Sequence, residues 1–138
     1  MIRMLGTALG FLGVGLIVGY HVAGAQQPAP TDNKGLTTVK TEIVDLGPEI
    51  EGMAGRQLRL RVLNIAPGGH IGLHNHKDRP TVVYFIRGED TVITDDGKQQ
   101  VFRAGDTTGE KKETTHWHRN AGTEPVTFVA VDVFRPAN

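Results

Sequence analysis

The chain has 138 residues and carries 15 Lys+Arg against 15 Asp+Glu, so its formal charge at pH 7 is zero. That length sets a single domain with one modest core. The even charge, with no basic patch, argues against nucleic acid as the main partner. The absence of cysteine excludes disulfides, thiolate metal sites and cysteine nucleophiles.

Residues 1–25 read as a signal peptide. A basic start (Met-Ile-Arg) precedes an uncharged run from Met4 to Val22, which exits through Ala23-Gly24-Ala25. Cleavage after Ala25 predicts a periplasmic or secreted protein. The alternative is an uncleaved membrane anchor over residues 4–22, because the run approaches the roughly 20 residues that span a bilayer. Membrane contact is expected by that route alone. Residues 26–35 (QQPAPTDNKG) are polar and read as a flexible leader. The domain proper is expected over 36–138.

From residue 36 onward the hydrophobic pattern has period two, which predicts strands. In Gln57–Ile65, Leu58, Leu60 and Val62 point one way while Arg59 and Arg61 point the other. Thr81–Ile86 is β-branched and aromatic. Thr91–Thr94 and Gln100–Phe102 flank Asp95-Asp96-Gly97-Lys98, and Asp-Gly between such runs signals a hairpin whose central residues must tolerate positive φ. Val126–Phe134 is the longest run, opened by Pro125. No long helix is expected. Short strands with regular turn signals predict an antiparallel sandwich or barrel.

Six histidines are present, and five of them fall in two places: His70, His74 and His76, then His116 and His118. On a strand, residues two apart face the same side. His74 and His76 can therefore aim at one point, as can His116 and His118, with Asn120 continuing that face. An H-x-H pair joined by a third imidazole supplies the nitrogen ligands that a divalent ion needs at about 2.0–2.2 Å.

These residues resemble the two motifs of the cupin family. Gly68, His74, His76, Thr81 and Gly88 keep the spacing of the first, and Gly105, Lys111, Glu113, His116 and Asn120 that of the second. The resemblance covers Gly68–Asn120. It implies an all-β fold, a cupin-type antiparallel β-barrel or jelly roll, and one divalent transition metal (Fe, Zn, Cu, Ni or Mn) on His74, His76 and His116. Three positions depart from the family pattern. Lys111 and Glu113 stand where the second motif has Pro and Gly, and Thr81 replaces the glutamate ligand of the first.

Two residues are candidates near that vacancy. Glu110 either turns a carboxylate inward, where it fills the vacancy or moves protons as a catalytic group, or is a surface charge beside Lys111 and Lys112. His118 either moves protons in the same cavity or sits on the rim. His70 reads as a loop histidine rather than a ligand, Trp117 as packing, and Asp78-Arg79 as a solvated turn, the alternative being a gate at the mouth of the cavity. Val83 and Phe85 share the parity of Thr81 and are expected on an apolar pocket wall. The function expected is metal-assisted, dioxygenase-like catalysis on a small enolisable or anionic oxygen chelator. The alternative is a non-catalytic module that binds a small ligand or metal. Barrels of this kind also pair through edge strands, which allows a homodimer.

Overall fold

The computed structural model describes residues 28–136. The expected signal peptide and the start of the leader lie outside the described residues. Eight strands follow in chain order: β1 (Lys34–Asp45), β2 (Gln57–Asn75), β3 (Thr81–Arg87), β4 (Glu89–Thr94), β5 (Gln99–Arg103), β6 (Thr107–Glu110), β7 (Thr115–Arg119) and β8 (Val126–Phe134). No helix occurs among the described residues. The hydrogen-bonded path runs β5-β4-β7-β2-β8-β3-β6, with β1 added to β2, and every pairing is antiparallel.

β2 makes the barrel possible because it serves two walls. Its first half, Gln57–Ile65, lies between β1 and β8, and its second half, His70–Asn75, pairs with β7. Between the halves, Ala66-Pro67-Gly68-Gly69 breaks the alternation, and Pro67 has no N–H to give a ladder.

Paired residues of an antiparallel ladder point to the same side, so the register stacks the interior in layers. The lowest holds Ile65 and Val126, and above it lie Leu63, Phe128 and Phe85. Phe85 stacks on Phe102 of β5 with ring centres 4.9 Å apart, and Phe102, Leu63, Ile65, Phe85, Val126 and Phe128 are all buried in this floor. Each such side chain contributes about 1.5–3 kcal/mol by leaving water. The next layer is Arg61, Ala130 and Val83. The top layer is Arg59, Asp132, Thr81 and Glu110, one residue from each of four strands. The arginines of the alternating β2 run thus face into the barrel, whereas Leu58 is exposed on the outer face.

The expected hairpin joins β4 to β5, but its turn differs from the one predicted. Gly97 has φ 83° and Asp96 has no positive φ. Gly97 N–H donates to Thr94 O at 2.9 Å. This is a turn closed by one left-handed glycine, so Asp96 is spared that conformation. Gly88, between β3 and β4, is more constrained: at φ +79° its backbone lies so close to Pro125 that an added Cβ would sit 2.6 Å from the Pro125 carbonyl oxygen. Gly88→Ala combines backbone strain with a clash against main chain. A loss of at least about 2 kcal/mol is expected, measured as a lowered midpoint in urea.

Candidate metal centre

The histidines meet at the upper end of the barrel. His74 pairs directly with His116 across β2 and β7, and His76 follows two residues after His74 on the same side. His76 Nε2 lies 3.1 Å from His116 Nε2, which lies 3.2 Å from His74 Nε2. Glu110 completes the group: its Oε2 is 3.1 Å from His76 Nε2 and its Oε1 is 3.7 Å from His116 Nε2. His76, His116 and Glu110 are buried.

The hydrogen bonds fix what these atoms offer. His74 Nδ1 donates to Gly72 O at 2.9 Å. His76 Nδ1 donates to Thr81 Oγ1 at 2.9 Å and to Arg79 O at 3.2 Å. A carbonyl oxygen can only accept, so both Nδ1 atoms hold the ring proton. Both Nε2 atoms therefore present bare lone pairs toward His116 Nε2. Two nitrogens about 2.1 Å from one cation sit roughly 3.0–3.4 Å apart for right-angle to tetrahedral coordination, and the observed separations fall in that interval.

Burial lowers His74 and His76 to about 4 and His116 to about 2, and nearby arginines and the other imidazoles push the same way. At neutral pH all three rings are uncharged, the form that ligates metal. Burial pushes Glu110 up to about 7, against the pull of His118, Arg79 and Arg61. The cluster is thus three neutral donors and a carboxylate that needs a positive partner.

Of the residues singled out in the sequence, five come together in two groups that share His116: His76, Glu110 and His116, and His74, His116 and His118. Thr81 is placed one step behind them: its hydroxyl takes the His76 proton and donates to Arg79 O at 3.1 Å. Glu110 is the direct cross-strand partner of Thr81, so the carboxylate missing from the motif enters from the neighbouring strand. His118 is buried against the cluster. It stacks on His74 with ring centres 5.8 Å apart and on Phe128 at 5.9 Å, and its Nδ1 meets Asp90 Oδ2 at 2.6 Å.

Other expectations resolve away from the cluster. His70 pairs with Asp32 at 3.2 Å. Asn120, which shares the parity of His116, does not reach the site; it donates to Ile65 O and Glu124 O at 2.9 and 2.8 Å and pins the bend of β2. Trp117 packs in the opposite direction, opposite Ile93. Asp78 is exposed and paired with Arg56, as a turn residue should be. Arg79 is not a solvated turn residue: it lines the cavity and reaches Asp132. Phe85 lies in the floor below the pocket, whereas Val83 is on its wall.

The cavity beside the cluster has a volume of about 330 Å³. Its polar lining includes His74, His76, Glu110 and His118, and its apolar wall includes Leu63, Ile71, Val83 and Phe128. Thr31 and Asn33, from the end of the expected leader, form part of its mouth. They are held there because Leu73 N–H donates to Pro30 O at 2.7 Å and Gly72 N–H to Asn33 Oδ1 at 2.9 Å.

Asp90, Arg61 and Asp132 did not stand out as site residues in the sequence. Each is a charged residue on the inward parity of an apolar strand, and that misplacement was the available signal. Asp132 is fully buried and takes two bonds from Arg59, at 3.0 and 2.8 Å, and one from Arg61 at 3.1 Å. Burial works against its charge, but the Arg59 hydrogen bond and the charges of Arg61, Arg59 and Arg79 hold its carboxyl below the usual value.

A nearly closed antiparallel barrel with an apolar floor and a histidine–carboxylate group above it defines a double-stranded β-helix protein with a site suited to a metal ion. A family model described as a cupin domain matches residues 61–133, more than half of the chain. The chain belongs to the cupin family. It is 30% identical over 81 residues to an oxalate-binding protein of Thermotoga maritima, a match that covers 59% of this chain and 66% of that protein, just under two thirds of its length.

Among solved structures, the fold resembles a double-stranded β-helix protein of Klebsiella pneumoniae at a TM-score of 0.57 and 22% identity, covering 81% of this chain and 85% of the other. It also resembles the polyketide cyclase RemF of Streptomyces resistomycificus at a TM-score of 0.58 and 18% identity, covering 78% and 72%.

Proposed function

We propose that the protein is an exported metal-binding cupin that works as a metal-dependent enzyme on a small oxygen-chelating molecule. The observation that carries the metal reading is the meeting of ligand atoms from His76, Glu110 and His116, with His74 and His118 in a second group that shares His116. His74, His76, His116 and Glu110 would hold the ion. Imidazole suits Fe, Zn, Cu and Ni, and the carboxylate admits Mn. Such an ion supplies Lewis acidity and acidifies bound water. Export rests on residues 1–25 of the sequence.

His118 supports the enzymatic reading. Its Nδ1 is held by buried Asp90, it lines the cavity, and a ring so oriented is equipped to accept or deliver a proton at Nε2. The test is turnover of a panel of diketones and 2-oxo acids by protein loaded with each metal. His118→Asn is expected to lower turnover by at least about a hundredfold at unchanged metal content. A fully loaded protein that turns over none of the panel overturns the reading. A second reading, a non-catalytic binding module, is favoured by the name of the Thermotoga relative; tight retention of oxalate without product would support it.

The Glu110 carboxyl makes metal uptake depend on pH. With its value raised to about 7, Glu110 is protonated in the metal-free protein below that pH, and the ion must displace the proton. Affinity is expected to rise about tenfold per pH unit below 7 and to flatten above. Glu110→Gln should weaken binding and remove that slope. Calorimetric titration between pH 5.5 and 8.5 measures both.

A further inference from the structure

The cavity holds more positive charge than its metal site explains. Three guanidinium groups, Arg59, Arg61 and Arg79, share the single buried carboxylate of Asp132. That leaves two cationic charges in excess against the wall of the pocket. Arg59 is fully engaged, with two short bonds to Asp132 and its guanidinium 4.0 Å over the Phe134 ring. Arg61 and Arg79 are not. Arg61 gives Asp132 one nitrogen at 3.1 Å, while its buried Nε has no partner among the described residues. Arg79 makes only long contacts, 3.5 Å to Asp132 and 3.4 Å to Asn75 O. Both line the same cavity as His74, His76 and Glu110. A buried donor without an acceptor is costly, and a guanidinium fork matches a carboxylate.

We infer that Arg61 and Arg79 form a carboxylate subsite beside the metal centre, so that the ligand is a chelating oxo acid. Two of its oxygens face the histidine cluster, a separate carboxylate lies on the two guanidinium groups, and a short apolar remainder rests against Leu63, Val83, Phe128 and Ala130. The inference rests on the metal-binding reading for the chelating half of the ligand only. The volume of about 330 Å³ is at the small end for ligand pockets, which restricts the acid to a few carbons.

A matched pair of probes isolates the carboxylate. Pentane-2,4-dione and 2,4-dioxopentanoate share the chelating diketone and differ by a carboxylate in place of one methyl. Protein loaded with cobalt(II) is titrated with each, and binding is read from the cobalt absorption spectrum. Wild-type protein is expected to bind the acid at least about tenfold more tightly than the dione. Arg61→Met is expected to weaken the acid by about 10- to 100-fold and to leave the dione within about twofold. Arg61→Lys keeps the charge without the fork and should lose part of the preference.

Equal losses for both probes, or no loss for either, overturn the subsite. If Arg61→Met does not fold, Arg61→Lys decides: a selective loss of the acid supports the subsite and its absence refutes it. Cobalt content is measured first. A wild-type protein that takes up no cobalt overturns the metal reading instead. Calorimetry with the acid on metal-free protein then decides the subsite by whether Arg61→Met abolishes the heat of binding.

Discussion

Replacing His74 and His76 together with alanine is expected to lower metal affinity by at least about a thousandfold while the barrel stays folded. Loss of a mere supporting residue around a metal typically costs 10–100-fold, and here two of three imidazoles go. Each of the two three-donor groups (His74, His116 and His118; His76, Glu110 and His116) then keeps only two donors, too few to hold a divalent ion against water. The fold should survive because neither residue belongs to the apolar floor of Leu63, Ile65, Phe85 and Phe128. Elemental analysis of untagged protein, with circular dichroism as the control, measures the outcome. A variant that keeps a full load would refute the ligand set.

The second large effect is structural. Asp132→Ala should destabilise the protein by about 3–5 kcal/mol, the usual cost of stranding a buried charge partner. Arg59, Arg61 and Arg79 would then face one another without the anion that all three touch. For a domain of this size the melting temperature should fall by at least about 12 °C. The sign with pH follows from the depressed carboxyl of Asp132. Its contribution is complete above the ordinary value of 3.8 and disappears as pH falls through the lower folded value. The gap between wild type and variant should therefore be constant from pH 8 to 5 and narrow below about 4. A gap that stayed level into strong acid would assign the loss to packing instead.

Much of the fold was legible because its cause is local. Alternation in Gln57–Ile65, the β-branched run Thr81–Ile86 and the glycine at position 97 each act on near neighbours, and all became strands or turns where expected. The trio His74, His76 and His116 was legible for a related reason: two-residue spacing fixes side, and motif spacing fixes which strands meet. The charged layer was harder to see. The carboxylate of Glu110 enters the site because β6 pairs with β3 in one register, and no single segment carries that information. Asp132 sits in VTFVAVDVF on the same parity as Phe128 and Ala130. Period two says that it faces inward, but only the fold supplies the three arginines that make this tolerable. Arg79 was misread for the same reason, since its sequence neighbours are a turn and its partner is 53 residues away.

One consequence of the Thr81–Glu110 pairing concerns mechanics. The nitrogen donors lie on β2 and β7 or, for His76, one residue past the end of β2, and both strands are interior members of the sheet, whereas Glu110 ends a four-residue strand at the sheet's margin, paired along β3 alone. A cation gripped by both would act as a rivet, fastening the seam of the cylinder to its most deeply embedded staves. Had the acid stayed at position 81, occupancy would have reinforced a strand already flanked on both sides; moved one place over, it tightens the plank most apt to lift.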